Sequence, residues 1–171
     1  MPADIFEHEG IQFSFRTEHD ADHEAPWDAE DGHGPVSEWK RHAFGMGSKP
    51  PKKPGEMILV CDRGSYRTYD FAEAVKIAKR DGWDAEPYGG TKGQKAHRAA
   101  MADFDRLRRW CNDQWDYVGV IIEMLDDAGD PMGETESLWG VESDAGDYFE
   151  EVAQELAAEI IHRVERPLKR A

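Results

Sequence analysis

The chain has 171 residues, of which 39% are hydrophobic and 33% are charged, and its formal net charge is −15 at pH 7. This length is typical of one domain, and the apolar content is sufficient for a core, which excludes a wholly disordered chain. The acidic excess disfavours general binding to DNA or to anionic membranes, because phosphate contacts dominate such binding. We therefore expect a single folded, acidic domain over residues 1–171.

The acidic excess is uneven along the chain. Residues 1–50 carry 11 acidic and 4 basic side chains, residues 51–100 carry 7 and 10, and residues 101–171 carry 18 and 7. This partition favours either a basic partner or a role in solubility. No apolar run approaches the roughly 20 residues of a membrane-spanning helix, and the N-terminal MPADIFEHEG does not resemble a secretory signal. We expect a cytoplasmic protein.

The N-terminal third is predicted to be mostly irregular. IQFSF at 11–15 alternates apolar and polar residues, which indicates a half-buried strand. Residues 17–39 contain no lysine or arginine and show no period, so we predict a long acidic loop. The sequence GMGSKPPKKPGE at 45–56 predicts a flexible connector.

The middle of the chain predicts a hairpin followed by two helices. MILVC (57–61) and SYRTY (65–69) are the two strands, and a capping box at Asp70 and Glu73 begins a helix that ends at Gly82. A longer amphipathic helix, with a basic outer face, is predicted over about 93–112.

The C-terminal part repeats the same order. WDYVGVIIEML (115–125) is apolar on both faces, which indicates a central strand, and ESLWGVE (136–142) is the returning strand. A helix follows after Asp147. The similarity between DFAEAV (70–75) and DYFEEV (147–152) reflects either two equivalent hairpin–helix units or capping residues that the two helices happen to share. We predict an α+β fold with an antiparallel sheet of about five strands and three main helices.

Two acidic surfaces are candidates for binding a partner protein. Seven carboxylates lie between Glu18 and Asp31, close to two tryptophans, and large aromatic side chains often carry interface affinity. The last helix adds glutamates at spacings of four. Such carboxylates could imitate a phosphate track toward a basic groove, or form solvated surface. The predicted partner-binding residues are Asp22, Glu24, Trp27, Asp28, Glu30, Asp31, Trp39, Glu151, Glu155 and Glu159.

Two alternatives remain open from the sequence. A metal-dependent factor or enzyme would use His19, His23 and His33, although neither HExxH nor a calcium-loop pattern is present. A nucleic-acid-binding accessory protein would use the basic face of the longer helix, which consists of Lys92, Lys95, Arg98, Arg106 and Arg109. No catalytic motif is recognised, so we predict no catalytic residue and no cofactor. A homodimer is left open.

Several segments together resemble a widespread family of small acidic proteins encoded by phages and prophages. They are DGHGPVSEW, YRTYDFAEAVKIAKRDGWD, DYVGVIIEML and ESLWGVESDAGDYFEEVAQELAAEI, and the resemblance covers about residues 17–162. It implies a protein expressed from a phage genome in the cytoplasm of a bacterial host. By analogy with such proteins, it implies an inhibitor of host defence, of the anti-CRISPR or anti-restriction type, whose partner is a host protein with a basic surface.

Overall fold

A computed structural model describes residues 4–40, 51–61, 65–83 and 89–165. The described residues form seven strands and four helices in the order β1 (Asp4–His8), β2 (Ile11–His19), α1 (Pro26–Ala29), β3 (Val36–Lys40), β4 (Glu56–Cys61), β5 (Ser65–Asp70), α2 (Phe71–Asp81), α3 (Lys92–Cys111), β6 (Tyr117–Leu125), β7 (Pro131–Glu142) and α4 (Tyr148–Glu165). The chain divides into two compact units. Unit 1 consists of Met1–His23 and Trp115–Ala171, and unit 2 consists of Glu24–Gln114.

Unit 1 is a four-stranded antiparallel sheet in the order β1-β2-β6-β7, with α4 packed against it. Strands β1 and β2 are joined by Glu9 and Gly10, whose φ angles of 50° and 81° are those of a tight hairpin turn. Strand β6 lies inside the sheet, as predicted, and most of its side chains are buried. The core includes Phe13, Ile122 and Ile160, which are fully buried.

Unit 2 contains a three-stranded antiparallel sheet in the order β3-β5-β4. Helices α2 and α3 contribute side chains to the core of this unit. The Asp70 carboxylate caps α2 by accepting a hydrogen bond from the Glu73 amide at 3.0 Å, as the sequence predicts. Helix α3 begins with a capping box at Thr91. Leu107, Tyr69 and neighbouring side chains form the core.

The predicted α+β class with antiparallel pairing is confirmed, but the prediction of one sheet with about five strands is wrong. Each predicted hairpin is followed by its helix, yet each hairpin belongs to a separate sheet. The number of strands also differs, because β1 and β3, which the sequence did not reveal, each add one strand from the N-terminal third to one of the two sheets. The described part of the chain also has four helices rather than three, because the single turn α1 is present.

The predicted acidic loop at 17–39 is not one loop. Its first residues continue β2, where Thr17 pairs with Val120, and its last residues form β3. The polar end of β2 gave no alternating signal, because Thr17, Glu18 and His19 are all exposed. The division between the two units falls between His23 and Glu24, inside this segment.

The predicted connector at 45–56 lies partly outside the described residues. Residues 51–53 have no regular structure, Pro54 and Gly55 form a turn, and β4 begins at Glu56. The turn predicted at 62–64 also lies outside them. Predicted helix 93–112 is confirmed as α3 within one residue at each end, and predicted strand 115–125 is confirmed as β6 from Tyr117.

Candidate interaction surface

The acidic excess of the chain belongs to one unit. Unit 1 contains 21 acidic and 5 basic residues, whereas unit 2 contains 15 and 16. The sequence alone suggested that both ends of the chain are acidic, but its first fifty residues are shared between the two units. The resulting net charge of unit 1 generates a negative potential, which attracts cations and basic surfaces within about one Debye length, roughly 10 Å at 0.1 M salt.

The three glutamates predicted on the last helix form one exposed row. Glu151, Glu155 and Glu159 are all exposed on α4, and each is followed by a buried apolar residue. Four residues of α-helix rise about 6 Å, so the carboxylates are spaced at about that interval along the helix axis. The structure therefore brings these three predicted residues together.

Arg163, the basic residue four positions after Glu159, is directed elsewhere. Its guanidinium lies 2.5 Å from a carboxylate oxygen of Glu136 and 3.5 Å from one of Glu134, both on β7. It also donates a hydrogen bond to the carbonyl of Thr135. Arg163 therefore joins α4 to β7, and it is not the partner of Glu159 that (i, i+4) spacing would offer.

The β6–β7 turn adds acidic residues that are not among the predicted partner-binding residues. Asp126, Asp127 and Asp130 are all exposed there. The Asp126 carboxylate accepts hydrogen bonds from the amides of Ala128 and Asp130, each at 2.9 Å, which fixes the turn. The DDAGD spacing was the available signal, and its charge contributes to the potential of unit 1.

The candidates from the predicted acidic loop are divided between the units. Asp22 is exposed in unit 1, whereas Glu24, Asp28 and Asp31 are exposed in unit 2. The half-buried Glu30 accepts hydrogen bonds from the Arg106 guanidinium through both carboxylate oxygens, at 3.0 and 2.8 Å. Glu30 therefore links the α1 segment to α3 inside unit 2.

The two predicted interface tryptophans are half-buried in unit 2. Trp27 packs edge-to-face on Trp110 with ring centroids 5.1 Å apart, and the Arg67 guanidinium lies 5.3 Å from the Trp27 ring. Trp27 therefore contributes to the core of its own unit. Trp39, on β3, lines a small cavity of about 90 Å³ with Tyr66.

Arg67 also organises the charges on β3. It forms an ion pair with Glu38 at 2.6 Å. Burial acts to raise the pKa of Glu38, but the hydrogen bond and charge of Arg67 outweigh it and hold that pKa below its usual value. This acidic side chain of unit 2 is neutralised within the unit.

The basic face of α3 is not a continuous solvent-facing stripe. Arg106 is paired with Glu30, and Arg98 donates a hydrogen bond to the carbonyl of Gly89 at 2.8 Å. Lys92 and Arg109 are exposed, while Lys95 is half-buried. Because Glu30 neutralises Arg106 and a contact within unit 2 holds the Arg98 guanidinium, this face is less suited to binding phosphates than the helical pattern suggested.

The three histidines have separate environments. His19 lies 3.0 Å from the Asp116 carboxylate, His23 stacks on Tyr117 with centroids 3.7 Å apart, and His33 contacts the Gly34 carbonyl at 2.8 Å. His33 belongs to unit 2, whereas the other two belong to unit 1. Within the described ranges, no group of three or more His, Cys, Asp or Glu side chains has the geometry to hold a metal ion.

A polar cluster that the sequence did not reveal lies in unit 2. The buried Tyr69 hydroxyl donates a hydrogen bond to Asp103 at 2.6 Å, and the Gly34 amide donates one to the same carboxylate oxygen at 2.7 Å. Burial and the Asp103 carboxylate together raise the pKa of Tyr69 well above its usual value, so the phenol stays neutral. These contacts join residues far apart in the chain and fix the backbone of the segment before β3.

None of the helices in the described part of the chain combines the length and apolar character needed to span a lipid bilayer. Comparison with protein families, with curated proteins and with solved structures finds no match to this chain. The resemblance to small phage proteins therefore stays a prediction, and function must be inferred from the residues of the chain itself.

Proposed function

We propose that the protein is a non-catalytic binding protein that presents the acidic surface of unit 1 to a basic surface of a partner protein. The observation that carries the proposal is the division of charge, with 21 acidic and 5 basic residues in unit 1 against 15 and 16 in unit 2. Opposite charge speeds the encounter of two proteins and disfavours incorrect partners, so such a surface is suited to recognition.

The exposed row on α4 is the part of this surface that lies on one regular helix. Glu151, Glu155 and Glu159 lie on one helix whose buried face packs in the core of unit 1. Like charges at (i, i+4) cost a helix about 0.2–0.5 kcal/mol per pair. This repulsion destabilises the helix in the isolated protein, and it is relieved when a cationic partner neutralises the row.

The finer proposal concerns the kind of partner. Regularly spaced carboxylates present the same charge to a basic groove as a phosphate backbone does, so we propose a bacterial protein whose basic groove binds nucleic acid. Inhibition of a host-defence complex, of the anti-CRISPR or anti-restriction type, is the specific form of this proposal. Such an inhibitor would compete with nucleic acid for the groove and would not bind duplex DNA itself.

The test is capture of a partner from bacterial lysate at two salt concentrations, with partners identified by mass spectrometry. At about 0.1 M salt the Debye length is about 10 Å, and at about 1 M it is about 3 Å, so an electrostatic complex forms only at the lower salt. Duplex DNA is then added as a competitor to the purified complex. Displacement by DNA supports the finer proposal, and its absence contradicts that proposal alone.

Two double variants provide the matched comparison. Glu151→Gln with Glu155→Gln removes two charges from unit 1, while Asp28→Asn with Asp31→Asn removes two from unit 2. We expect the first pair to slow association with the captured partner several-fold more than the second. Equal association rates for both variants, or a complex that persists unchanged at high salt, would refute the proposed role of unit 1.

A further inference from the structure

Unit 1 contains an open apolar groove of about 250 Å³ between strands β1 and β2 and the first turns of α4. The groove is lined by Phe6 of β1, Phe15 of β2, and Phe149 and Ala153 of α4. The three phenylalanines are half-buried, so each ring is held by the protein on one side and accessible on the other.

The groove is fixed by the core beneath it. Phe15 and Phe149 pack edge-to-face with centroids 6.2 Å apart, and Phe6 stacks on the buried Phe13 at 5.6 Å. All three groove phenylalanines pack against the main core of unit 1. A partner therefore meets a preformed surface and spends little free energy on ordering it.

Acidic and polar side chains surround this apolar floor. Asp4 and Glu150 line the groove and are exposed, and Gln154 completes it while hydrogen-bonded to His8. Carboxylates beside accessible phenylalanines favour a ligand that is both apolar and cationic.

The charge of unit 1 distinguishes between the possible occupants. A second copy of the chain would bring two strongly acidic units together, and a fatty acid or anionic lipid would meet the same repulsion. The volume is also below the roughly 300–1,000 Å³ of small-molecule pockets. A protein segment that inserts an apolar side chain is the remaining occupant that fits both size and charge.

We propose that this groove docks a basic segment of a partner protein, which inserts one or two large apolar side chains between the three phenylalanines. The inference rests on the proposed function: the acidic surface supplies long-range attraction, and the groove supplies the short-range contact that discriminates among basic partners. Lysine or arginine side chains flanking the apolar residue would lie near Asp4 and Glu150.

The experiment uses two short synthetic lysine-rich peptides as probes, one with a central phenylalanine and one with alanine in its place. Each is titrated into the isotope-labelled full chain at low salt, and the amide NMR signals are followed. We expect the phenylalanine peptide to shift the signals of Phe6, Phe15 and Phe149. We also expect it to bind about tenfold more tightly than the alanine peptide, as burial of an aromatic side chain implies.

Two charge reversals locate the binding site. Glu150→Lys changes the edge of the groove, and Glu159→Lys makes the same charge change on the outer row of α4. We expect Glu150→Lys to weaken binding of the phenylalanine peptide several-fold more than Glu159→Lys does. Both positions are exposed, so we expect the fold to tolerate either change.

The outcomes separate this inference from the proposed function. If both peptides bind equally and both reversals weaken them equally, the groove inference is wrong while the electrostatic proposal stands. If neither peptide binds at low salt, both are wrong. Binding that depends on the phenylalanine and is weakened most by Glu150→Lys supports both.

Discussion

The two units of the protein use charged side chains in different ways. In unit 2, ion pairs connect separate elements: Glu30 of the α1 segment pairs with Arg106 of α3, and Glu38 of β3 pairs with Arg67 of β5. In unit 1, acidic residues outnumber basic ones 21 to 5, so most carboxylates cannot be neutralised inside the unit. Unit 1 also joins two elements by an ion pair, between Arg163 of α4 and Glu136 of β7. The difference is that its excess of carboxylates leaves most of its charge unbalanced, whereas acidic and basic residues are nearly equal in unit 2.

The largest expected effect comes from adding one methyl group to unit 2. A Cβ at Gly34 would overlap the buried Tyr69 hydroxyl and would lie 2.6 Å from the Cβ of Ala74. Neither neighbour can move away, because both are fully buried. Gly34→Ala should therefore destabilise unit 2 by about 2–3 kcal/mol, as overpacking of a core does. Hydrogen exchange of α3 peptides, followed by mass spectrometry, measures this loss locally.

The matched change in unit 1 should cost much less. A Cβ at Gly119 would lie 2.5 Å from the Trp139 ring, but that side chain is 47% exposed on strand β7 and can rotate into solvent. We expect Gly119→Ala to cost less than about 1 kcal/mol. Gly93→Ala is the contact-free reference, since nothing lies within 4 Å of the added Cβ; because Gly93 lies in helix α3, this change should be neutral or slightly stabilising. Equal losses at Gly34 and Gly119 would show that the Gly34 contact is not rigid.

The second effect is the loss of the Tyr69 hydroxyl. Tyr69→Phe leaves the Asp103 carboxylate without its 2.6 Å donor, which should cost about 1–3 kcal/mol at neutral pH. The folded-state pKa of Tyr69 is raised above its unfolded value of about 10, so the stabilisation is complete below that pH and falls as pH rises further. The stability difference between the wild type and Tyr69→Phe should therefore shrink above about pH 10.

Urea denaturation of both proteins from neutral to alkaline pH measures this difference directly. Other tyrosines and lysines titrate in the same range, but they are common to both proteins and cancel in the comparison. A difference that stays constant above about pH 10 would contradict the raised pKa of Tyr69. A difference near zero at neutral pH would contradict the role of its hydrogen bond to Asp103.

Local signals made much of the fold predictable. The Asp70 and Glu73 pair, the Gly82 stop and the helical period of α3 specify their helices within a few residues of sequence. Strands β1 and β3 were missed because most of their side chains are exposed, so neither shows clear alternation. Backbone pairing stabilises them instead: β1 pairs with its hairpin neighbour β2, and β3 pairs with the more distant β5.

The candidate surface was predictable only where its residues share one element. The Glu151, Glu155 and Glu159 row follows from helical spacing alone. The contact between two other candidates, Glu30 and Arg106, is long-range, since these residues are 76 positions apart and no local pattern links them. The apolar groove was also missed, because it combines Asp4 and Phe6 of β1 and Phe15 of β2 with the start of α4.

The smallest expected effect tests the comparison of the units most directly. The same kind of substitution, glutamate to glutamine, should raise the free energy of unfolding in unit 1 and lower it in unit 2. Glu155→Gln removes a carboxylate flanked at four residues on each side by Glu151 and Glu159, so it relieves two repulsive pairs. Each pair costs about 0.2–0.5 kcal/mol, and stability should rise by a few tenths of a kcal/mol at low salt. Glu30→Gln breaks the two-oxygen contact with Arg106 and should lower stability by up to about 1 kcal/mol.

Denaturation of both variants at about 0.1 M and about 1 M salt separates the causes, since the shorter Debye length screens exposed charges most. The gain from Glu155→Gln should vanish at the higher salt, because all three glutamates of the row are exposed. The loss from Glu30→Gln should persist in part, because Arg106 and Glu30 are half-buried and their hydrogen bonds do not depend on long-range attraction. If Glu155→Gln is destabilising, this glutamate stabilises its own unit, as Glu30 does. That result would contradict the proposal that the acidic row binds a partner.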